Sequence, residues 1–322
     1  MGNKILNEFL SKKKIPFGRD VDLKKHTWIH RGGVASYYIT PRNCEEFESL
    51  VLFFQSNAIE YKVFGSTSNV YVLNKTNLPV VVSILHCREI VFTQSYIEVE
   101  CGVLVSRLAK QAIEKGIKGF EYLTCLPGTI AGAIVNNSSC KSNSISAVLD
   151  SVEIIMNGRV STLTPADLHF EFRNSDLKSG IMKGTISRAR LKIEYDDAEV
   201  LKRLAMDNEE HRHRILEPPA KNLGCTVNRL FCEGKMPAKY KIPYDLYCRI
   251  IHLFVKDELE KKCLKKNMLL TITGNKKLIP YVSDKQLITF IWRDEKADVL
   301  FPAYLHFIKH VCRSTHLEIE II

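Results

Sequence analysis

Two periods of hydrophobic residues alternate along this 322-residue chain. Short apolar runs bounded by Gly, Pro, Asn or Ser mark strands, and apolar residues spaced three and four apart mark helices. The first 25 residues combine Lys-rich stretches with a short apolar turn, which predicts an N-terminal helix and a loop through Pro16 and Gly18. From His26 the pattern becomes strand-like; residues 34–40 read as a strand stopped by Pro41, and 44–55 as an amphipathic helix. Short strands are predicted at 61–64 and 70–73, on either side of Gly65-Ser66-Thr67-Ser68-Asn69, and further ones at 78–85, 89–91 and 96–101. Residues 103–115 carry helical spacing and end at Gly116.

The run Pro127-Gly128-Thr129-Ile130-Ala131-Gly132-Ala133 is the most unusual segment. A proline at the first helical position followed by small residues lets a helix N-terminus approach something closely. That something is either a phosphate, drawn by unpaired N–H groups and the macrodipole, or a neighbouring sheet, and the segment alone fits both. Asn157-Gly158 marks a hairpin after a strand at 152–156. A helix start at 165–168, a strand at 186–194 and a polar helix from Asp196 and Asp197 to His213 follow. Beyond Pro218-Pro219 the pattern predicts a helix over 244–266, a strand over 286–292, a helix over 302–313 and a strand over 317–322. Strands and helices interleave throughout, so the fold class is α+β or α/β.

Length adds a prior of two or three domains. A 45% hydrophobic and 25% charged composition excludes a wholly disordered chain. The longest apolar stretch, 78–85, is interrupted by Pro79 and Ser83, far short of a membrane span, and no secretory segment follows Met1. A soluble, unexported, cytoplasmic protein is expected. The net charge of +10 points to polyanions without choosing among them. Residues 199–277 hold 17 Lys and Arg against 10 Asp and Glu, so most of the excess lies there. Lys261, Lys262, Lys265 and Lys266 read as a solvated helix face. None of the ten cysteines forms a Cys-x-x-Cys or zinc-finger spacing, so no metal is expected and most should be buried small hydrophobes.

Four segments carry a resemblance. His26-Thr27-Trp28-Ile29-His30-Arg31-Gly32-Gly33 runs into Tyr37-Tyr38-Ile39-Thr40-Pro41; Gly65-Ser66-Thr67-Ser68-Asn69 is a Gly/Ser-rich turn. Gly119-Phe120-Glu121-Tyr122 continues through the 127–133 run to Asn137, and Leu168-His169-Phe170-Glu171-Phe172-Arg173-Asn174-Ser175 follows. In order and spacing these resemble the UDP-N-acetylenolpyruvoylglucosamine reductases, the MurB family of flavoenzymes, with Phe172 where the family has tyrosine. The resemblance covers residues 26 to about 195. It weakens in the last third, where Gly224-Cys225-Thr226-Val227-Asn228-Arg229-Leu230 stands for the family's Gly-Ser-x-Phe-x-x-Pro, with Cys225 for serine and Leu230 for proline. It recovers at Ser283-Asp284-Lys285, at 287–292 and at Leu317-Glu318-Ile319-Glu320.

The resemblance implies a two-part FAD-binding domain of the PCMH type, residues 1–85 and 86–198, and an α/β substrate domain over 199–322. It implies FAD held by Gly65, Ser66, Thr67, Ser68 and Asn69 and by Pro127, Gly128, Thr129, Gly132 and Asn137. NADPH would be the reductant and an enolpyruvyl UDP-sugar the substrate. Arg173 would clamp the developing enolate with Glu320 as its partner, and Cys225 would supply the last proton. Arg212, Arg214 and Lys221 are candidates for the sugar-nucleotide diphosphate. A monomer without nucleic-acid or membrane partners is expected. Two alternatives stay open: a related flavoenzyme acting on another nucleotide-linked sugar, and a flavin-binding or nucleic-acid-binding protein without this activity.

Overall fold

Asn43 begins the first core helix by accepting a hydrogen bond from the Glu46 amide at 2.9 Å, and Glu45 and Glu46 complement the dipole in the first turn. In chain order the segments here are α1 (Gly2–Lys13), β1 (Phe17–Asp22), β2 (Val34–Ile39), α2 (Cys44–Ser56), β3 (Lys62–Phe64), β4 (Val70–Tyr71) and β5 (Asn77–Ser83). Four strands form a sheet in the order β1-β2-β5-β3, with β1 antiparallel to β2 and both β2 and β3 parallel to β5. Phe47, Leu50, Val51 and Phe54 of α2 share one buried cluster with Leu6 and Leu10 of α1 and with Ile39, Val80 and Val82 of the sheet. The computed structural model describes residues 2–141, 143–218, 221–227, 236–311 and 317–322; Pro219, Asn228, Arg229, Leu230, Cys232 and Cys312 lie outside them.

The next stretch comprises β6 (Ile90–Phe92), β7 (Tyr96–Glu100), α3 (Val105–Glu114), α4 (Ile130–Val135), β8 (Ser139–Cys140), β9 (Asn143–Ser144) and α5 (Ile145–Val148). It continues with β10 (Leu149–Met156), β11 (Arg159–Leu163), α6 (Asp176–Ser179), β12 (Thr185–Lys192) and α7 (Ala198–Ile215). Five of these strands make an antiparallel sheet in the order β11-β10-β12-β7-β6. The β10–β11 turn puts Asn157 at φ 52° and Gly158 at φ 74°, the left-handed pair that a two-residue hairpin needs. Leu108, Ala109, Ala112 and Ile113 of α3 join Ile97, Val99, Val152 and Leu191 of the sheet in a second core.

Contacts divide the chain into two compact units, Met1–Thr67 with Val72–Glu210, and Ser68–Tyr71 with His211–Ile322. Both sheets lie in the first. The second contains α8 (Ala238–Phe254), α9 (Glu258–Ile272), α10 (Lys296–His310) and β13 (Glu320–Ile321), which pairs parallel with β4. Its core is aromatic: Phe290 and Phe301 sit within 5.1 Å of each other, and Phe301 touches Tyr71, Trp292 and Tyr304.

Several expectations are corrected. Residues 26–33 form turns rather than a strand, because the Thr27 hydroxyl closes on Arg31, accepting from its amide at 3.1 Å and donating to its carbonyl at 2.5 Å. The helix expected over 244–266 is two helices, α8 and α9. Val255 is extended, and Asp257 caps the new start by accepting from the Glu260 amide at 2.7 Å. Residues 286–292 make no strand; their amides and carbonyls bond singly to Thr226, Lys221, Ser283 and Tyr281 instead of to a ladder. The last helix starts at Lys296 and holds Pro302 inside, and the terminal strand shrinks to two residues. Lys266 is buried, not part of a solvated face.

Candidate active site

Within the first unit, the four motif segments are joined directly to one another. The Trp28 amide donates to the hydroxyl of Thr67 at 2.8 Å, fastening the first segment to the second. Thr67 is buried and left-handed at φ 54°. Gly65 lies against Thr129: a Cβ there would fall 2.5 Å from the Thr129 hydroxyl, so the second segment meets the third through a contact only glycine permits. The Ser175 hydroxyl donates to the Val135 carbonyl at 2.7 Å and the Asn137 side-chain amide to the Glu171 carbonyl at 2.8 Å, fastening the third segment to the fourth.

The small-residue run resolves in favour of packing. Pro127 is not the first helical residue: Thr129 is the N-cap of α4, its hydroxyl accepting from the Gly132 amide at 3.4 Å. The Ile130 and Ala131 amides donate to the carbonyls of Val103 and Cys101, at 2.8 and 3.1 Å, so the donors of this short helix's start are already used. Any phosphate contact therefore falls to the loops. Asn137, at φ 40°, has its side-chain carbonyl oxygen buried with no hydrogen-bond partner. An acceptor buried without a donor is costly, about 1–3 kcal/mol. A ligand N–H or O–H in the cradle would satisfy it, and a flavin supplies such donors.

Glu171 and Asn174 exchange backbone hydrogen bonds of 3.1 and 3.2 Å, which puts Phe172 and Arg173 at the tip of a tight turn. Arg173 is held at φ 59°, with its carbonyl accepting from the Lys178 ammonium at 3.0 Å. Phe172, in the tyrosine position, is 58% exposed.

Cys225 and Glu320 lie in the second unit on neighbouring segments. Thr226 donates its amide to the Ile288 carbonyl at 2.8 Å and accepts at its own carbonyl from the Glu318 amide at 2.9 Å, so the Cys225 segment runs between residues 286–288 and residues 317–320. The Cys225 thiol donates to the side-chain carbonyl of Gln286 at 3.3 Å. Gln286 is the residue that sequence reasoning missed; it lay in a stretch read as an ordinary strand, and nothing in its spacing connects it with Cys225. Asn69 donates its side-chain amide to the Glu318 carbonyl at 2.8 Å and accepts at its own carbonyl from the Glu320 amide at 2.9 Å. Of the diphosphate candidates, Arg212 and Arg214 lie in the last turn of α7, Arg214 beside His211 at 3.3 Å. Lys221 is exposed, and its carbonyl accepts from the Trp292 amide at 2.8 Å.

Two sheets carrying paired Gly/Ser/Thr turns that meet at Gly65 and Thr129 define a flavin-binding protein, and residues 35–164 match the FAD binding domain family. Curated relatives narrow this further. The UDP-N-acetylenolpyruvoylglucosamine reductase of Caldicellulosiruptor bescii is 30% identical over 212 residues, 66% of this chain and 67% of the relative. That of Clostridium novyi is 28% identical over 67% of this chain and 69% of its own. The chain belongs to the UDP-N-acetylenolpyruvoylglucosamine reductase family. The crystal structure of the Thermus caldophilus member shares the fold, with a TM-score of 0.66 over 95% of this chain and 98% of that one at 21% identity. No helix among the described residues is long and apolar enough to cross a membrane.

Proposed function

We propose that this protein is a cytoplasmic, monomeric, FAD-dependent reductase that uses NADPH to reduce the enolpyruvyl group of UDP-N-acetylglucosamine enolpyruvate, giving UDP-N-acetylmuramate. The observation that carries the reading is the joining of all four motif segments into one cradle with a buried acceptor, Asn137, lacking a donor. Residues 1–85 and 86–198 serve as the two flavin-binding parts and 199–322 as the substrate domain. FAD, when bound, supplies the hydride carrier between NADPH and substrate. Gly65, Ser66, Thr67, Ser68 and Asn69 would hold it from one side, and Pro127, Gly128 and Thr129, with Gly132 of α4 and Asn137 just after that helix, from the other.

Reduction at C3 of the enolpyruvyl group leaves negative charge toward its carboxylate. The Arg173 guanidinium is assigned to that charge, with the Glu320 carboxylate as its partner in the reaction. The Cys225 thiol, held by Gln286 at 3.3 Å, delivers the proton to C2. A thiol releases a proton more readily than an alcohol, with an ordinary pKa near 8.5, so cysteine can fill the family's serine position. Arg212, Arg214 and Lys221 take the diphosphate.

The test is a two-part titration. Stoichiometric NADPH should bleach the flavin absorbance, and only the enolpyruvyl UDP-sugar should restore it within the turnover time. Bleaching without restoration by this substrate, but with restoration by another nucleotide-linked sugar, would replace the substrate assignment. Cys225→Ala should lower kcat by at least about a hundredfold, the usual size of a lost general acid, whereas Cys225→Ser should keep measurable turnover. Equal activity in Cys225→Ala and wild type would remove Cys225 from the mechanism.

A further inference from the structure

One helix of the second unit turns its apolar side outward. Ile251 is the buried residue of α8, whereas Ile242, Leu246, Ile250, Leu253 and Phe254 are exposed, the last two at 80%. At 3.6 residues per turn, Ile242, Leu246, Ile250 and Leu253 fall within an arc of about 80°, with Phe254 just beyond it. An ordinary surface helix shows the reverse, its apolar stripe toward the core and its polar residues outside. Leu259, in the first turn of α9, is exposed as well. An exposed apolar stripe of this kind marks a contact with a partner or a membrane.

The charges around the stripe decide what kind of partner fits. α8 carries Lys239, Lys241 and Arg249 against Asp245 alone. Around the helix Arg249 lies about 20° from Ile242. Lys239 stands just under one turn before that residue, its ammonium over the Tyr240 ring at 4.7 Å. Lys256 follows the stripe and is exposed. α9 adds Lys261, Lys262 and Lys265, and the Lys265 ammonium reaches the exposed His252 of α8 at 2.9 Å. Acidic groups of the turn are engaged: Asp257 caps α9, and Glu258 pairs with Lys261 at 2.7 Å. Residues 238–265 hold seven Lys and Arg against four Asp and Glu, so the stripe lies in a basic setting. The proposed reaction uses none of these residues.

We propose that the outward face of α8, with the basic residues beside it, docks the protein on an anionic lipid surface. The helix lies in the plane of that surface. Ile242, Leu246, Ile250, Leu253 and Phe254 enter the boundary between headgroups and acyl chains, and Lys239, Arg249 and Lys256 meet the phosphates. Long basic side chains suit this position, because their aliphatic stems lie along apolar groups while the charged heads reach outward. No helix among the described residues is long and apolar enough to cross a membrane, and an in-plane contact needs none. The expectation of no membrane partner rested on the lack of a spanning segment. A second copy is the other occupant such a stripe can take. It fits less well, since a self-complementary contact would set Lys239, Lys241 and Arg249 near their own kind, with Asp245 the only acidic residue of α8 to offset them.

The test is flotation of the full chain with vesicles of phosphatidylcholine alone or of phosphatidylcholine and phosphatidylglycerol in equal parts. The protein should float with the mixed vesicles, partition at least about tenfold more weakly onto the neutral ones, and come off as salt rises. Leu253→Ser combined with Phe254→Ser should lower the partition at least about tenfold. Lys239→Glu combined with Arg249→Glu should remove the preference for the mixed vesicles. All four side chains are exposed, so both variants should keep the urea midpoint of wild type. Protein that floats with neither kind of vesicle, or equally with both, would overturn the proposal. So would a Leu253→Ser, Phe254→Ser variant that floats like wild type. A concentration-dependent dimer in sedimentation velocity without lipid, dissolved by those same two substitutions, would assign the stripe to a second copy instead.

Discussion

In the cradle proposed for the flavin, the approach of Gly65 to Thr129 rests on a single missing methyl group. A Cβ at residue 65 would stand 2.5 Å from the Thr129 hydroxyl and 3.0 Å from its methyl group. Thr129 is 2% exposed and cannot swing into solvent, and its hydroxyl also caps α4. Gly65→Ala should therefore cost about 1–3 kcal/mol through overpacking, and Thr129→Ala about 1 kcal/mol through loss of the cap. Because the second substitution removes the atoms the first one strikes, the double variant should lose less than the sum. Urea midpoints of the four proteins measure this, and strict additivity would mean that the two loops do not touch. The contact was half legible in the sequence. Both glycine-rich segments stood out by composition and order, but spacing could not say that Thr129 rather than a phosphate fills the space beside Gly65. The same holds for Asn137: its place in the motif was readable, whereas its unsatisfied oxygen depends on burial.

At the level of elements, the sequence was most legible where an element is held by its own pattern. The α2 helix, with its Asn43 cap and apolar face, and the Asn157-Gly158 hairpin fall where periodicity and turn chemistry put them. It was least legible in the second unit, where elements are held by partners far along the chain. Lys266 sits in a run of four lysines that reads as solvent-facing. Instead the residue is 7% exposed, and its ammonium donates to the carbonyls of Ile279 and Val282, at 3.1 and 3.0 Å, and to Asp284 at 2.5 Å. It thereby ties α9 to the irregular segment after it. Lys266→Met leaves two carbonyls without a donor and a carboxylate without its cation. It should cost about 2–3 kcal/mol, while Lys262→Ala, on the exposed side, should stay within about 0.5 kcal/mol. The pair also fixes an acid dependence. Burial acts to raise the Asp284 carboxyl, but the bonds from Lys266 and Cys263 outweigh it and hold the group below its ordinary value. A carboxyl lowered in the folded state contributes stability above its unfolded pKa, about 3.9, and loses it as pH falls through the lower folded value. Chemical-denaturation midpoints between pH 5 and 2.5 should show that loss in wild type and a smaller one in Lys266→Met. Parallel curves would mean that the pair does not titrate with folding.

Across the whole molecule, residues 70–71 and 320–321, far apart in the sequence, meet in one short strand pair. The loop beginning at Gly65 runs on through Asn69 into β4, and β4 has the C-terminal β13 as its only sheet partner among the described residues. The Glu320 amide donates to the Asn69 carbonyl and the Ile322 amide to the Tyr71 carbonyl, each at 2.9 Å, and the Asn69 side chain reaches the Glu318 carbonyl. Residues 320–322 thus have two separable tasks: a backbone that orders the exit of the loop proposed to hold the flavin, and a carboxylate proposed for chemistry. Deleting residues 320–322 removes both backbone bonds. At about 1 kcal/mol each, the loss of loop order is at most about 2 kcal/mol, or roughly thirtyfold in the Kd for FAD. Glu320→Gln keeps the backbone and removes only the charge, so it should retain FAD like wild type while slowing substrate-dependent reoxidation of the flavin. Equilibrium dialysis with flavin fluorescence, run beside the reoxidation assay, separates the two. If Glu320→Gln loses FAD as the truncation does, the carboxylate is part of the cradle rather than of the reaction. If the truncation holds FAD as tightly as wild type, the loop owes its order to contacts that survive the deletion, among them Trp28–Thr67, Gly65–Thr129 and Asn69–Glu318.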